Sequence, residues 1–263
     1  MDNQKTVLFL ASLGTSILRA KEVSYDKIQA ELALVSGLPV WQVFTDDTTA
    51  RAMNGIGGTH IYTVEDALET AIIHGFTQVI VVPVFFGEGK LYTGLRNRLD
   101  FYRDRIDVTM TAPVVNDEAS AKEVAEILLA AVKPHPDMEY LFVGYGSHVS
   151  YNASYGNLEA AMREKGCANV RVLKLSDRDC LGQAIVWLKQ READMRDVHV
   201  EIIPLVIAWG DYMASELYNS EDSFMWQLRK AGFRTVFTGK GLGEYEEFRE
   251  IYTRRLNAVL KND

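Results

Sequence analysis

The sequence predicts an α/β protein of two similar lobes, each a mostly parallel sheet flanked by helices, related by internal duplication. Three observations predict it. Short apolar runs bounded by turn residues alternate with longer segments of helical period. The two halves of the chain repeat one pattern of strand, glycine and polar residue. A chain of 263 residues with 48% hydrophobic and 24% charged content is also long enough to bury two cores.

The apolar runs place strands at 6–12, 39–44, 77–84, 106–112, 139–144, 169–175, 198–207 and 234–238. Strands that alternate with helices are joined by crossovers, so they run parallel and the helices cover both faces of the sheet. Thr63-Val64-Glu65-Asp66 opens one helix and Gly75 closes it, while Asn116-Asp117-Glu118 opens another that runs towards Lys133. Lys133-Pro134-His135-Pro136-Asp137 reads as a linker, which divides the chain into an N-terminal lobe, 1–132, and a C-terminal lobe, 138–263.

The duplication is legible in two places. Leu8-Phe9-Leu10-Ala11-Ser12-Leu13-Gly14-Thr15-Ser16 has a counterpart in Leu141-Phe142-Val143-Gly144-Tyr145-Gly146-Ser147-His148. Later in each half, the strand and proline of Val79 to Pro83 lead to Gly87-Glu88, and those of Val200 to Pro204 lead to Gly210-Asp211. Open α/β sheets bind ligands at the carboxyl ends of their strands, so a cleft bordered by both sets of strand ends is the expected ligand site.

Composition excludes several classes. The net charge is −8 and no stretch gathers Lys or Arg, so nucleic acid is not an expected partner. Cys167 and Cys180 give neither a disulfide framework nor paired metal-ligand spacing, which fits a reducing compartment. Val7 to Ala11 is apolar and follows Lys5, but Asp2 and the want of a small-residue cleavage site argue against a secretory signal. No run approaches the roughly 18 apolar residues that a membrane span requires. A cytoplasmic protein with no membrane span is expected, and self-association into a homo-oligomer is left open.

Four strand ends supply candidate site residues: Leu13, Gly14, Thr15 and Ser16; Phe85, Glu88 and Tyr92; Tyr145 and His148; Trp209, Asp211 and Tyr212. Gly14-Thr15-Ser16 either relieves backbone crowding and caps a helix, or offers amides and hydroxyls to an anionic substituent. No Gly-Lys-Ser/Thr follows, so it is not a P-loop. His148 stands beside a strand end and is a candidate base or metal ligand, against the alternative of a hydrogen-bonded loop histidine. Glu88 and Asp211 each follow a glycine segment and either project a carboxylate for a proton or cation, or cap a helix. Tyr145 and Tyr212 sit at matching strand ends, where a phenol packs or ligates a hard ferric ion. The aromatic group of Trp209, Tyr212, Tyr218, Phe224 and Trp226 reads as core or as the flank of a flat ligand.

Taken together, Ser12-Leu13-Gly14-Thr15-Ser16, Phe44-Thr45, Asp66-Ala67-Leu68, Gly75-Phe76, Gly144-Tyr145-Gly146, Pro204-Leu205, Gly210-Asp211, Asp222-Ser223, Ala231-Gly232 and Gly241-Leu242-Gly243-Glu244 resemble the anaerobic cobalt chelatases of cobalamin biosynthesis, nearly end to end. The resemblance implies the two-lobed class II chelatase fold and insertion of Co²⁺ into a sirohydrochlorin-type tetrapyrrole. It also implies a metal-handling group of two histidines and a glutamate, one histidine in a Gly-His-Gly turn and the other just after Gly-Asp. Here those histidine positions read Tyr145 and Tyr212, and the glutamate position falls at Leu91, with Glu88 one helical turn away.

Two functions follow. One is a chelatase in which His148, Glu88 and Asp211 stand in for the usual group, with divalent cobalt or iron as substrate and no tightly bound cofactor. The other is a non-catalytic protein that binds haem or another tetrapyrrole, with its tyrosines towards the macrocycle. A third reading, a binding-protein-like module for another small ligand, is disfavoured by the absence of a signal segment.

Overall fold

The computed structural model describes residues 5–146, 153–177, 179–192 and 198–261. It divides into two compact units, 1–114 with 243–263 and 115–242. Among the described residues no helix is long and apolar enough to cross a membrane.

Unit 1 follows the predicted alternation: β1 (Thr6–Ser12), α1 (Leu18–Val23), α2 (Tyr25–Ser36), β2 (Val40–Phe44), α3 (Asp47–Met53), β3 (Ile61–Tyr62), α4 (Val64–Ile73), β4 (Gln78–Pro83), α5 (Lys90–Asp100) and β5 (Asp107–Met110). The sheet order is β3-β2-β1-β4-β5, all pairs parallel. The central strands β1 and β4 are buried on both faces, which is why they read as unbroken apolar runs rather than alternating ones. Val7, Phe9, Val79 and Val81 pack with Leu68, Leu95 and Leu99 of the helices on one face. The helix opening predicted at Thr63 is a real cap, its hydroxyl accepting the Asp66 N–H at 3.2 Å; at α3, not foreseen in the sequence, the Asp46 carboxylate accepts the N–H groups of Thr48 and Thr49.

Unit 2 repeats the scheme with α6 (Glu118–Val132), β6 (Met138–Gly144), α7 (Ala153–Glu164), β7 (Val170–Lys174), α8 (Cys180–Glu192), β8 (His199–Pro204), α9 (Asp211–Ala214), a π-turn at Ser215–Asn219, α10 (Phe224–Lys230) and β9 (Arg234–Phe237). Its sheet order is β7-β6-β8-β9, again parallel. Asp117 opens α6 through a capping box with Ser120.

Three features differ from the sequence reading. β3 is two residues long, too short to leave a periodic signal. The strand read at 198–207 ends at Pro204, and that at 106–112 spans Asp107–Met110. The lobes read as 1–132 and 138–263 part from the two units at two helices. α6 packs on α7 within unit 2, where the Ser154 hydroxyl donates to the Val115 carbonyl at 3.1 Å and Lys165 pairs with Glu126. α11 (Glu246–Leu260) belongs to unit 1. There Arg249, only 6% exposed, donates to Glu31 of α2 at 2.6 Å, and Arg255 donates to the carbonyls of Ala112 and Val114.

The duplication holds residue by residue at the carboxyl ends. Thr45 N donates to Ser12 O in unit 1 as Leu175 N does to Gly144 O in unit 2, and Val84 N donates to Ala11 O as Leu205 N does to Val143 O. This register makes Gly14 the counterpart of Gly146, and both have positive φ, 100° and 70°. A Cβ on Gly14 would lie 2.6 Å from Phe44 Cδ2, and one on Gly146 would lie 2.6 Å from Lys174 Cβ. Phe44 and Lys174 are themselves counterparts, the last residues of β2 and β7.

Gly14→Ala combines left-handed strain with overpacking, and we expect a loss of about 2–4 kcal/mol in urea unfolding. Gly94→Ala, in the exposed interior of α5 with nothing within 4 Å of its added methyl, should instead gain about 0.5–1 kcal/mol. Equal effects from the two substitutions would contradict the close approach at Gly14.

Candidate functional site

In each sheet the connections reverse direction between the first strand and its inner neighbour, β1 and β4 in unit 1, β6 and β8 in unit 2. Such switch points open a crevice at the carboxyl ends of the strands. The four segments singled out in the sequence follow these four strands, in the loops and in the first turns of α5 and α9.

In unit 1 the loop after β1 carries Leu13 and Gly14, half-buried, then buried Thr15 and exposed Ser16. The Thr15 hydroxyl accepts the Ile17 N–H at 3.1 Å, so it organises the loop. After β4, Phe85 and Tyr92 are buried in the core of the unit. The Tyr92 hydroxyl reaches the Thr111 carbonyl at only 3.5 Å, and burial raises its pKa. Glu88 is half-buried and lies 3.9 Å from Arg96, whose guanidinium covers the Tyr92 ring at 4.9 Å. With both partners over 40% exposed, that ion pair leaves the carboxylate accessible.

In unit 2 the loop after β6 presents Tyr145, and the first turn of α9, which follows the loop after β8, presents Tyr212. Their rings stack at 5.6 Å between centroids and 16° between planes. Tyr212 is 58% exposed and Tyr145 half-buried, so the pair offers one open ring and one sheltered hydroxyl. Burial, then the neighbouring phenols of Tyr212 and Tyr155, push the Tyr145 pKa up to about 12. Tyr145 is therefore a neutral phenol at physiological pH, able to donate a hydrogen bond but not to act as a base. Trp209 packs edge-on against Tyr218 and Phe237, and its Nε1–H donates to the Gly239 carbonyl at 3.0 Å. Of the aromatic group seen in the sequence, Phe224 belongs to the core cluster of unit 2, with Trp209 against it.

Glu88 and Asp211, matched in the sequence, are not counterparts. The strand register pairs Pro83 with Ala11 and Pro204 with Val143, and the next helix in each unit is capped by Gly89 and by Gly210. Counting from these, Glu88 corresponds to Trp209, and exposed Leu91 to Tyr212. The repeated glycine-acid pair misled because Gly87 stands two residues ahead of the true cap. Asp211 is exposed at the start of α9. His148 lies outside the described residues. Among the described residues no group of three or more His, Cys, Asp or Glu is placed to hold a metal ion.

Sequence reasoning missed Tyr155. Its hydroxyl, almost fully enclosed, accepts the Gly146 N–H at 3.3 Å and so supports the turn that carries Tyr145; burial raises its pKa to about 12. Nothing in its local sequence separates it from an ordinary helix tyrosine. The hydroxyls of Ser12, Thr45 and Thr111, at or just beyond the carboxyl ends of β1, β2 and β5, were also missed; they are buried without a hydrogen-bond partner among the described residues.

A family model described as cobalt chelatase (CbiK) matches residues 5–261. Among solved structures, SirB from Bacillus subtilis with Fe³⁺ is similar at a TM-score of 0.66 and 13% identity, over 97% of this chain and 95% of that one. The sirohydrochlorin chelatase SirB from Bacillus subtilis subspecies spizizenii in complex with cobalt gives the same score and identity over 98% and 96%. DR2241 from Deinococcus radiodurans, a multi-domain protein with structural similarity to chelatases, gives 0.57 and 17% over 96% of this chain and 54% of that one. A search of curated protein sequences finds no match.

The buried phenols set an alkaline limit on stability. Tyr145 and Tyr155 are shifted from 10.0 to about 12, and Cys180 from 9.0 to about 11, so folding favours their neutral forms. Their contribution is complete below the unfolded values and drains away as pH rises through the folded ones. The urea midpoint should decline above about pH 9, and Tyr145→Phe should flatten that decline. A midpoint that fell no less steeply in the variant would remove Tyr145 from the effect.

Proposed function

The chain belongs to the cobalt chelatase family, and on that premise we propose that it inserts Co²⁺ or Fe²⁺ into a sirohydrochlorin-type tetrapyrrole. The observation that supports this most directly is the stacked Tyr145–Tyr212 pair at the switch point of unit 2. The open face of Tyr212 suits a flat macrocycle, for which aromatic stacking is worth about 0.5–1.5 kcal/mol beyond area burial.

Insertion exchanges one divalent ion for two pyrrole protons, and the metal is a substrate. The protons need acceptors, which Tyr145 does not supply. Half-buried Glu88, just before α5 in unit 1, and exposed Asp211, at the start of α9 in unit 2, are each candidate acceptors, as is His148. Trp209 stands just before Asp211 in unit 2, and Leu13, Gly14, Thr15 and Ser16 form the loop after β1 in unit 1.

One observation favours the second reading, a tetrapyrrole-binding protein without turnover. A phenol held neutral is a poor ligand for a divalent ion and a poor base, so the position best placed for chemistry is the least suited to it.

The test is anaerobic mixing of the protein with metal-free sirohydrochlorin and Co²⁺ or Fe²⁺, followed in the visible spectrum against a protein-free control. Insertion faster than the control is expected, with Glu88→Gln or His148→Ala slowing it about a hundredfold while tetrapyrrole binding is kept. Tyr212→Ala should weaken binding by about tenfold, through the lost ring face. A spectral shift without insertion would establish the second reading, and no shift at all would overturn both.

A further inference from the structure

We propose that unit 2 carries a second ligand site, for a small oxyanion, at the open edge of its sheet. This does not rest on the tetrapyrrole reading; it comes from a difference between the two copies. In unit 1 the edge of β2 is closed by β3, which pairs with Gln42 and Val43. The matched registers of β1 with β2 and of β6 with β7 make Val172 and Leu173 the counterparts of those two residues. Among the described residues no strand covers them, and β7 ends the sheet. A cavity of about 170 Å³ opens there instead, bordered by residues 171–174, by Tyr155 of α7, and by Asp177, Cys180 and Gln183 around the start of α8. An enclosed space of about 150 Å³ admits a benzene ring, so the volume accommodates a phosphate or a small carboxylate.

Its unengaged donors favour an anion. Among the described residues Arg171 and Lys174 border the cavity with Asp177, and Glu159 pairs with Arg171. The Asp177 carboxylate is already engaged, accepting the Asp179 N–H at 3.3 Å and the Gln183 side-chain amide at 3.2 Å. Arg171 gives Nη1 to Glu159 at 3.2 Å, yet its Nε–H is buried with no acceptor among the described residues. The Lys174 ammonium has no ion pair or hydrogen bond among the described residues. A guanidinium edge beside a lone ammonium is the donor set that phosphate and carboxylate groups accept. The remaining groups do not compete as anions, because burial keeps the Cys180 thiol and the Tyr155 phenol protonated. The other Glu159 carboxylate oxygen accepts the Val172 N–H at 2.7 Å, so the edge is finished by a side chain where unit 1 uses a strand. That arrangement leaves the cavity free of competing strand pairing.

The experiment is titration of the whole ¹⁵N-labelled chain with inorganic phosphate, and in parallel with acetate, at constant ionic strength. Saturable shifts of the Val172, Leu173, Lys174 and Gln183 amides are expected. Lys174→Gln should weaken the binding about tenfold, the cost of one charge-assisted hydrogen bond, while Lys189→Gln on the exposed face of α8 leaves it unchanged. Tighter saturation by phosphate than by acetate assigns the site to phosphate, and the reverse assigns it to carboxylate. Shifts that grow without saturating for both anions, or equal weakening by the two lysine substitutions, would overturn the proposal.

Discussion

The architecture turns on one steric constraint, repeated: the backbone leaving the first strand of each unit passes so close to the end of the second strand that no side chain fits. Gly14 sits against Phe44, and Gly146 against Lys174. Both glycines turn through positive φ, which carries the loop back over the carboxyl ends of the sheet. Leu13 and Tyr145 therefore occupy matching places immediately before the turns, and everything said of the site follows from where these turns aim their neighbours.

On this common frame the two copies have diverged in chemistry. Unit 1 is finished by apolar packing: Phe85 and Tyr92 fill its core, and exposed Leu91 stands where unit 2 has Tyr212. Unit 2 concentrates phenols, with Tyr145 stacked on Tyr212 and Tyr155 buttressing the turn from below. Burial keeps the Tyr145 and Tyr155 phenols neutral, which suits them to hydrogen bonding rather than to proton abstraction. The same divergence extends to the sheet edges, where a short strand in one unit corresponds to a carboxylate cap and a cavity in the other.

The helices were readable as helices but not as members of a unit. α6 and α11 each show a clear apolar face, and such a face states that something is buried without stating against what. Placing α6 with α7 and α11 with α2 depends on long-range partners, Ser154 with Val115 and Arg249 with Glu31, that no local pattern encodes.

The sequence alone determined the class and the repeat, because buried parallel strands must be continuous apolar runs and because helix caps and tight turns demand particular residues: Thr63, Asp117, Gly14 and Gly146 announce themselves. It also singled out Tyr145 and Tyr212 as candidate site residues. Only the tertiary structure decided that these two rings stack, that Phe85 and Tyr92 turn into the core, and that Glu88 matches Trp209 rather than Asp211. The physical reason is the same in each case. Register, burial and ring contact are set by residues distant in the chain, and a motif such as glycine followed by an acid has no way to state which turn of a helix it begins.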